Sequence, residues 1–254
     1  MMIANLFRFK KKAAAPSAAT PDDQRIYAIG DIHGRLDLFD ALLQQIDEDL
    51  KSRPRKKTSI ILLGDLIDRG PESRGVVERA MALKCGSSSI RFLKGNHEEV
   101  FLRALKGDSQ VMRFLIRIGG KSTVMSYGVS EEEYNALDYE DLTALLMARV
   151  PQSHVDFLES FDDMIEMGDY VFVHAGIRPD VELDAQTSSD MRWIRDEFLD
   201  CQDSFGKMIV HGHTITEDIE YRSNRIGIDT GAYASGKLTA IGLEGTDVWS
   251  LQTG

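Results

Sequence analysis

Hydrophobic positions follow two alternating patterns from Arg25 onward. Short β-branched apolar runs are separated by longer segments in which apolar residues recur every three or four positions. The runs predict strands at 26–29, 59–63 and 90–93, and the longer segments predict helices at 36–50, 72–83 and 98–105. This β-α-β-α-β order predicts an α/β fold, with parallel strands in a sheet and helices on its face.

The middle of the chain has a different pattern. Helical spacing recurs at 111–118, 139–149 and 152–159, and strand signals are few between Glu99 and Asp162. A hairpin is then predicted at 164–167 and 170–173 around Gly168-Asp169, followed by strands at 208–210, 226–228, 238–243 and 248–251. We therefore expect one domain at 21–254, with two groups of strands and a helical insert at about 99–163 between them.

Composition and charge restrict the function classes. The 254 residues are 43% hydrophobic and 28% charged, which is typical of a globular chain, and no run of about 18 apolar residues predicts a membrane span. The formal net charge of −11 disfavours a nucleic-acid partner, because phosphate backbones are repelled. Cys85 and Cys201 form no CxxC motif, which excludes a disulfide framework and favours a reducing, cytoplasmic location.

The N-terminal segment is a separate case. Residues 1–20 contain four basic residues, no acidic residue and an Ala/Pro/Ser stretch, and they predict a disordered basic tail. The alternative is a weak contact with anionic lipid through Leu6, Phe7, Phe9 and the lysines. Nothing in the sequence decides the oligomeric state, and we expect a monomer.

Polar residues beside glycine follow five of the predicted strands. The motifs are GDIHG at 30–34, GDLIDRG at 64–70, GNHE at 95–98, HAG at 174–176 and HGHT at 211–214. The carboxyl ends of strands are where α/β sheets bind ligands, so we expect these side chains to meet. Carboxylate, amide and imidazole groups without a thiolate favour Mn, Fe or Zn in a catalytic site over a structural zinc.

Each motif taken alone has an ordinary structural explanation. Asp65 and Asp68 suit a helix N-terminus, Asn96 suits an Asx turn, and His174 suits a half-buried histidine. Five of the six histidines of the chain nevertheless fall in these motifs, and only His154 lies outside. Together they predict a centre in which one aspartate bridges two cations that act on a phosphoryl group.

In this order and spacing, the motifs resemble those of the phosphoprotein phosphatase family of calcineurin-like metallophosphoesterases. The resemblance runs from about Arg25 to the C-terminus and is strongest to the bacterial serine/threonine phosphatases, to which diadenosine tetraphosphate hydrolases are also related. It implies a central β-sandwich flanked by helices on both sides.

The resemblance also implies a centre of two divalent metal ions, with manganese expected and iron or zinc as alternatives. Its ligands would be Asp31 and His33 for the first ion, Asp65 for both ions, and Asn96, His174 and His213 for the second. The role of the nearby His211 is left open: it either supports the ligands or merely lies near them.

The remaining site residues are implied by the same resemblance. His97 would protonate the leaving group while Asp68 orients its ring, and Arg69 and Arg195 would hold the phosphate. Arg195 could instead be an exposed helix arginine paired with a neighbouring carboxylate, Asp196 or Glu197.

Two further positions qualify that assignment. Lys94 stands where many eukaryotic members have arginine, and a lysine cannot hold two phosphate oxygens in a planar fork. Asp229 ends another strand, and we expect it to support the site.

The resulting prediction is a metal-dependent serine/threonine protein phosphatase. It would hydrolyse phosphomonoesters of a phosphoprotein or a phosphorylated small molecule by direct attack of a metal-bridging hydroxide. The alternatives are a diadenosine tetraphosphate hydrolase and a non-catalytic scaffold that binds phosphoproteins. The helical insert is expected to flank the metal cleft and to select the substrate.

Overall fold

Ten strands form two five-stranded sheets within residues 18–87 and 89–254, the parts of the chain that this computed structural model describes. In chain order the strands are β1 (Gln24–Ile29), β2 (Lys57–Leu62), β3 (Ile90–Phe92), β4 (Met164–Met167), β5 (Tyr170–Val173), β6 (Met208–His211), β7 (Glu220–Tyr221), β8 (Arg225–Gly227), β9 (Thr239–Glu244) and β10 (Asp247–Gln252). The first sheet has the order β10-β9-β1-β2-β3, and the second has the order β4-β5-β6-β8-β7.

The strands that carry the motifs are parallel within each sheet. β1 pairs in parallel with β2, and β2 with β3, whereas β9 runs antiparallel to β1. In the second sheet β5, β6 and β8 are parallel neighbours, and β4 and β7 are antiparallel edge strands. The carboxyl ends of β1, β2 and β3 therefore share one edge, as do those of β5 and β6.

The helices lie on the outer faces and in the insert. They are α1 (Leu36–Ser52), α2 (Ser73–Gly86), α3 (Asn96–Ala104), α4 (Ser109–Leu115), α5 (Lys121–Ser126), α6 (Glu131–Ala136), α7 (Tyr139–Arg149), α8 (Gln152–Glu159), α9 (Ser188–Trp193), α10 (Asp196–Leu199) and α11 (Ala232–Ser235). A π-helical turn, Ile116–Gly120, joins α4 to α5. The insert between β3 and β4 is thus entirely helical in its regular elements.

The core has three layers of apolar contact because successive residues of a strand face opposite sides. Ile26 and Ala28 of β1 face the second sheet and pack in a cluster with Phe172 and Val210. Tyr27 and Ile29 face the other way and pack in the cluster that contains the α1, α2 and insert side chains. The second sheet is covered on its own outer face by α9 and α10. The predicted sandwich with helices on both sides is confirmed.

Local pattern placed most elements within a few residues of their observed bounds. The helices α7 and α8 and the hairpin of β4 and β5 begin and end where the periodicity predicted. The prediction missed α5, α6, α9, α10, α11 and the two-residue strand β7. These elements have six residues or fewer, which is too short for a helical or alternating period to show.

The folded domain begins before residue 21, the predicted boundary. The amide N–H of Thr20 donates to the carbonyl of Gly245 at 2.9 Å, and the carbonyl of Ala19 accepts from the N–H of Asp169 at 2.9 Å. Residues 18–20 therefore pack on the domain. The predicted disordered tail and its alternative lipid contact otherwise concern residues 1–17, which lie outside the described residues.

Two further sequence expectations can be compared with the described part of the chain. Cys85 is exposed, Cys201 is partly buried, and neither forms a disulfide there. No described helix has both the length and the apolar composition needed to cross a membrane. The cytoplasmic location stays a prediction.

Candidate metal centre

Loops at the carboxyl ends of β1, β2, β5 and β6, together with the start of α3, bring the motif residues together. Among the described residues, five of the seven non-glycine residues with positive φ lie in these loops: His33, Asp65, Asp68, Arg69 and His213. Each such residue is strained by about 1–2 kcal/mol, and strain of this kind concentrates at functional sites. The sharp turns direct the side chains into one buried cleft.

Four predicted ligands of the second metal ion converge on one point. Nε2 of His174 lies 3.0 Å from Oδ1 of Asn96, 3.2 Å from Nδ1 of His213 and 3.5 Å from Oδ2 of Asp65. Nδ1 of His174 faces the carbonyl of Leu63 at 2.9 Å and must donate to it, which leaves the lone pair of Nε2 directed into the cluster. This donor set fits one divalent cation.

The first metal position is built around Asp31 and His33. Nδ1 of His33 donates to the carbonyl of Ile67 at 2.8 Å, so that Nε2 is left with its lone pair, 3.6 Å from Oδ2 of Asp65. The Asp31 carboxylate accepts the backbone N–H of His213 at 3.0 Å, which ties the two halves of the centre together. Oδ2 of Asp65 is thus close to ligand atoms of both groups.

Burial sets the protonation of these groups. It lowers the pKa of His33 to about 3 and that of His213 to about 2, and it also lowers the pKa of His174, so these imidazoles are neutral at pH 7. Burial, together with the charges of Asp229 and Asp65, raises the pKa of Asp31, and burial raises that of Asp229 to about 6. A cation binds the neutral form of an imidazole and the charged form of a carboxylate. A bound cation would therefore offset the repulsion between these carboxylates.

Unpartnered atoms support the same conclusion. Nε2 of His33 and Oδ2 of Asp229 are buried and have no hydrogen-bond partner among the described residues. Buried polar atoms nearly always have a hydrogen-bond partner or a metal ion beside them, so these two atoms fit coordination of a cation. The residues present therefore fit two divalent cations, which Asp65 would bridge.

His97 and Asp68 form a buried pair beside this centre. Nδ1 of His97 lies 2.6 Å from Oδ2 of Asp68, and both side chains are almost fully buried. Burial alone would lower the pKa of His97, but the charges of Asp65 and Asp68 outweigh it and raise the pKa. Nε2 faces Asp65 at 3.8 Å, so the pair can deliver a proton at the metal centre.

The two predicted phosphate-binding arginines both act on groups of this cleft. Nη2 of Arg69 is 3.2 Å from Nε2 of His97. Arg195 is exposed, and its charge lowers the pKa of both His213 and Asp229, which places it near them. It forms no ion pair with Asp196 or Glu197 among the described residues.

Other residues discussed from the sequence lie apart from the ligand cluster. Nζ of Lys94 donates to the carbonyl of Glu159 at 3.1 Å, so it is directed toward α8. His211 is buried with Nδ1 against the carbonyl of Gly212 at 3.0 Å and its ring edge-on to Phe198. It ends β6, directly before the loop that carries His213.

Three site residues were missed by the sequence reasoning. The Glu98 carboxylate accepts the N–H groups of Asp65, Leu66 and Gly95 at 2.8–2.9 Å. Thr123, from the insert, bonds Asp68, and the exposed ring of Tyr233 packs edge-on to His33. Glu98 belongs to the GNHE motif, so its role in the site could have been predicted. Nothing in the local sequence marks Thr123 or Tyr233.

Comparison with known proteins agrees with this geometry. The sequence profile of the calcineurin-like phosphoesterases matches residues 24–229, which is most of the chain. This chain belongs to the calcineurin-like phosphoesterase family. It is therefore a metallophosphoesterase, a hydrolase whose family uses a dinuclear metal centre.

Two curated relatives of this phosphoesterase carry the same name. The asymmetrical bis(5'-nucleosyl)-tetraphosphatases PrpE of Bacillus velezensis and Bacillus subtilis are each 28% identical to it over 83% of this chain, and they are matched over 86% and 87% of their own length. A crystal structure described provisionally as a diadenosine tetraphosphatase superposes with a TM-score of 0.61 at 20% identity, covering 93% of this chain and 99% of that one. The structural likeness shows the fold of the phosphoesterase.

Proposed function

We propose that this metallophosphoesterase is an asymmetrical dinucleoside tetraphosphate hydrolase. The observation that carries the proposal is the match, over 83% of this chain, to relatives of that name. Water would add to one phosphorus and one P–O–P bond would break, so that diadenosine tetraphosphate yields AMP and ATP. The protein-phosphatase activity predicted from the motifs becomes the second candidate.

The charges of the site suit a polyphosphate. The chain has a net charge of −11, so a polyanion needs local positive charge, and Arg69 and Arg195 provide it beside the ligands. Two bound divalent cations, with manganese our expectation, would screen the phosphate oxygens and acidify water. Asp31, His33, Asp65, Asn96, His174 and His213 would hold them.

Tyr233 is suited to contact a nucleobase. Its side chain is 37% exposed, its ring lies 5.5 Å from that of His33, and the Arg69 guanidinium lies 4.8 Å from its centroid. An exposed ring at the mouth of a phosphate site can stack on a base, which contributes about 1–3 kcal/mol. We propose that it binds one adenine of the substrate.

The second candidate is hydrolysis of phosphoserine and phosphothreonine in proteins. The His97–Asp68 pair favours it, because a serine alkoxide is strongly basic and gains more from an acid than a departing nucleotide does. This observation does not exclude the first candidate, since an intact acid also serves a phosphate leaving group.

A direct comparison of substrates tests the proposal. Manganese-loaded protein is given diadenosine tetraphosphate, a phosphoserine peptide and a phosphotyrosine peptide at equal concentration, and the products are separated by chromatography. We expect AMP and ATP in equal amounts and a kcat/KM at least ~100-fold above that for either peptide, a difference of about 2.7 kcal/mol in transition-state binding. ADP as the sole product, faster peptide hydrolysis, or binding without turnover would each reject it.

Replacement of Tyr233 tests the nucleobase contact. Tyr233→Ala should raise KM for diadenosine tetraphosphate by about tenfold, because one stacked base is lost. Hydrolysis of p-nitrophenyl phosphate, which has no base, provides the comparison. Tyr221→Ala is the matched control, since Tyr221 is 54% exposed but lies on the edge strand β7. Equal KM changes for the two variants would reject the role of Tyr233.

A further inference from the structure

Two consecutive residues of the loop after β2 have left-handed backbones. Asp68 has φ 70° and Arg69 has φ 68°. Such a pair persists only when its surroundings hold it in place. The N–H of Asp68 donates to Oγ1 of Thr123 at 2.9 Å, and the N–H of Arg69 donates to the carbonyl of Gly119 at 2.9 Å. Both of these partners belong to the helical insert.

The insert also holds the Asp68 carboxylate. Oδ2 of Asp68 accepts from His97 at 2.6 Å, and Oδ1 accepts from the Thr123 hydroxyl at 2.5 Å. Ser73 Oγ lies 2.8 Å from Thr123 Oγ1 and accepts the Asp68 N–H at 3.0 Å. Because each carboxylate oxygen has one partner among the described residues, Thr123 fixes the rotation of the carboxylate that orients His97.

The segment that presents Thr123 is built for a close approach. Thr123 lies in α5, directly after the π-helical turn, and its side chain is fully buried. Gly119 has φ 116°, and a Cβ there would lie 2.7 Å from Cγ of Arg69. Only glycine fits this position, and π-helical turns are frequent at functional sites.

We propose that Thr123 is a positioning residue for the His97–Asp68 pair, through which the insert sets the proton donor of the reaction. The inference rests on the proposed role of His97 as that donor. In this arrangement the insert contacts the catalytic loop directly, in addition to flanking the cleft. The Thr123 hydroxyl contacts Asp68 and Ser73, and among the described residues it bonds none of the predicted metal ligands.

Two substitutions at one position separate the hydroxyl from its bulk. Thr123→Val keeps the shape and removes the hydroxyl, whereas Thr123→Ser keeps the hydroxyl. The matched control is Thr143→Val, because Thr143 is a buried threonine of the same insert. Among the described residues its hydroxyl bonds only the carbonyl of Tyr139, at 2.6 Å. Rates are measured with phenyl phosphate and p-nitrophenyl phosphate, which differ in the basicity of the leaving oxygen.

We expect Thr123→Val to lower kcat for phenyl phosphate by at least about tenfold. The kcat for p-nitrophenyl phosphate should fall by less than about threefold, because nitrophenolate leaves without a proton. Thr123→Ser should restore the ratio of the two rates, and Thr143→Val should leave it at the parent value. An equal fall on both substrates in Thr123→Val would overturn the proposal.

A second measurement does not depend on turnover. The proton between Nδ1 of His97 and Asp68 should give a far-downfield NMR resonance in zinc-loaded protein, because the hydrogen bond is short and charge-assisted. We expect this resonance to move or broaden in Thr123→Val and to stay in place in Thr123→Ser and Thr143→Val. An unchanged resonance in Thr123→Val overturns the positioning role even if diadenosine tetraphosphate proves not to be the substrate.

Discussion

Asp65 is the residue on which the metal centre depends most. It is buried, and its Oδ2 lies 3.5 Å from His174, 3.6 Å from His33 and 3.8 Å from His97. One carboxylate oxygen therefore faces predicted ligands of both cations and also the proposed acid. The neutral amide of an asparagine would keep the shape but lose the charge that offsets two cations.

Asp65→Asn should lose both metal ions and activity together. Elemental analysis after gel filtration gives the metal content per chain, and the same sample gives the rate. Asp40→Asn is the control, because Asp40 is an exposed carboxylate paired with Arg79. Two ions per chain in Asp65→Asn would show that Asp65 does not bridge the ions.

Arg69→Ala and Arg195→Ala should weaken phosphate binding while the metal content stays at the parent value. Each removes a charge-assisted contact of about 1.5–3 kcal/mol, so the inhibition constant of inorganic phosphate should rise by about 10- to 100-fold. Arg178→Ala, which removes an exposed arginine paired with Asp190 and Glu197, should leave that constant unchanged. If phosphate inhibits both site variants as strongly as it inhibits the parent, the two arginines do not bind phosphate.

At the scale of elements, α3 joins the ends of two neighbouring strands. Glu98 in its first turn accepts backbone N–H groups from the loop after β2 and from Gly95 after β3. Burial raises the pKa of Glu98 to about 7, and these three hydrogen bonds stabilise its charged form. The helix thereby fixes the positions of Asp65, Asn96 and His97 relative to one another.

Glu98→Gln should lower the free energy of unfolding by about 2–4 kcal/mol, because its NH₂ group would face N–H donors in a buried site. Urea unfolding of metal-free protein measures the change. Glu78→Gln breaks an exposed pair with Arg74 and should cost at most about 1 kcal/mol. A Glu98 variant as stable as the Glu78 variant would show that these hydrogen bonds do not hold the loops.

For the whole molecule, the buried histidines link stability to pH. Burial lowers the pKa of His211 to about 4, and it lowers the pKa of His33, His174 and His213 as well. The folded state then binds fewer protons than the unfolded chain, whose histidines titrate at about 6.5. Each such residue therefore lowers stability as the pH falls below about 6.5, down to its folded pKa.

His211→Asn should reduce this dependence. An asparagine can still donate to the carbonyl of Gly212 but takes up no proton. Between pH 6 and pH 5, metal-free parent should lose about 1.2 kcal/mol more stability than the variant. Urea unfolding across this range measures the difference, and parallel curves would show that His211 titrates alike in both states.

The chain by itself determined the strand and helix periods and the chemistry at the strand ends. Alternation and 3.6-residue spacing are local, so β4, β5, α7 and α8 could be predicted from a few neighbouring residues. The motif residues Asp31, Asp65 and Asn96 follow parallel strands of the first sheet, and parallel strands end at one edge of a sheet. Their meeting in one cleft was therefore predictable without knowing how the insert packs.

Only the tertiary structure decided which distant residues complete the site. Thr123 reaches Asp68 across 55 positions, and Tyr233 approaches His33 and Arg69 from a short helix near the C-terminus. Neither residue has a local pattern that marks it, because a threonine in a helix and an exposed tyrosine are ordinary until packing gives them neighbours. The same holds for Arg195, whose charge acts on His213 and which forms no ion pair with Asp196 or Glu197 among the described residues. Contacts between segments depend on how whole elements pack, and that packing is set by the summed burial of many residues.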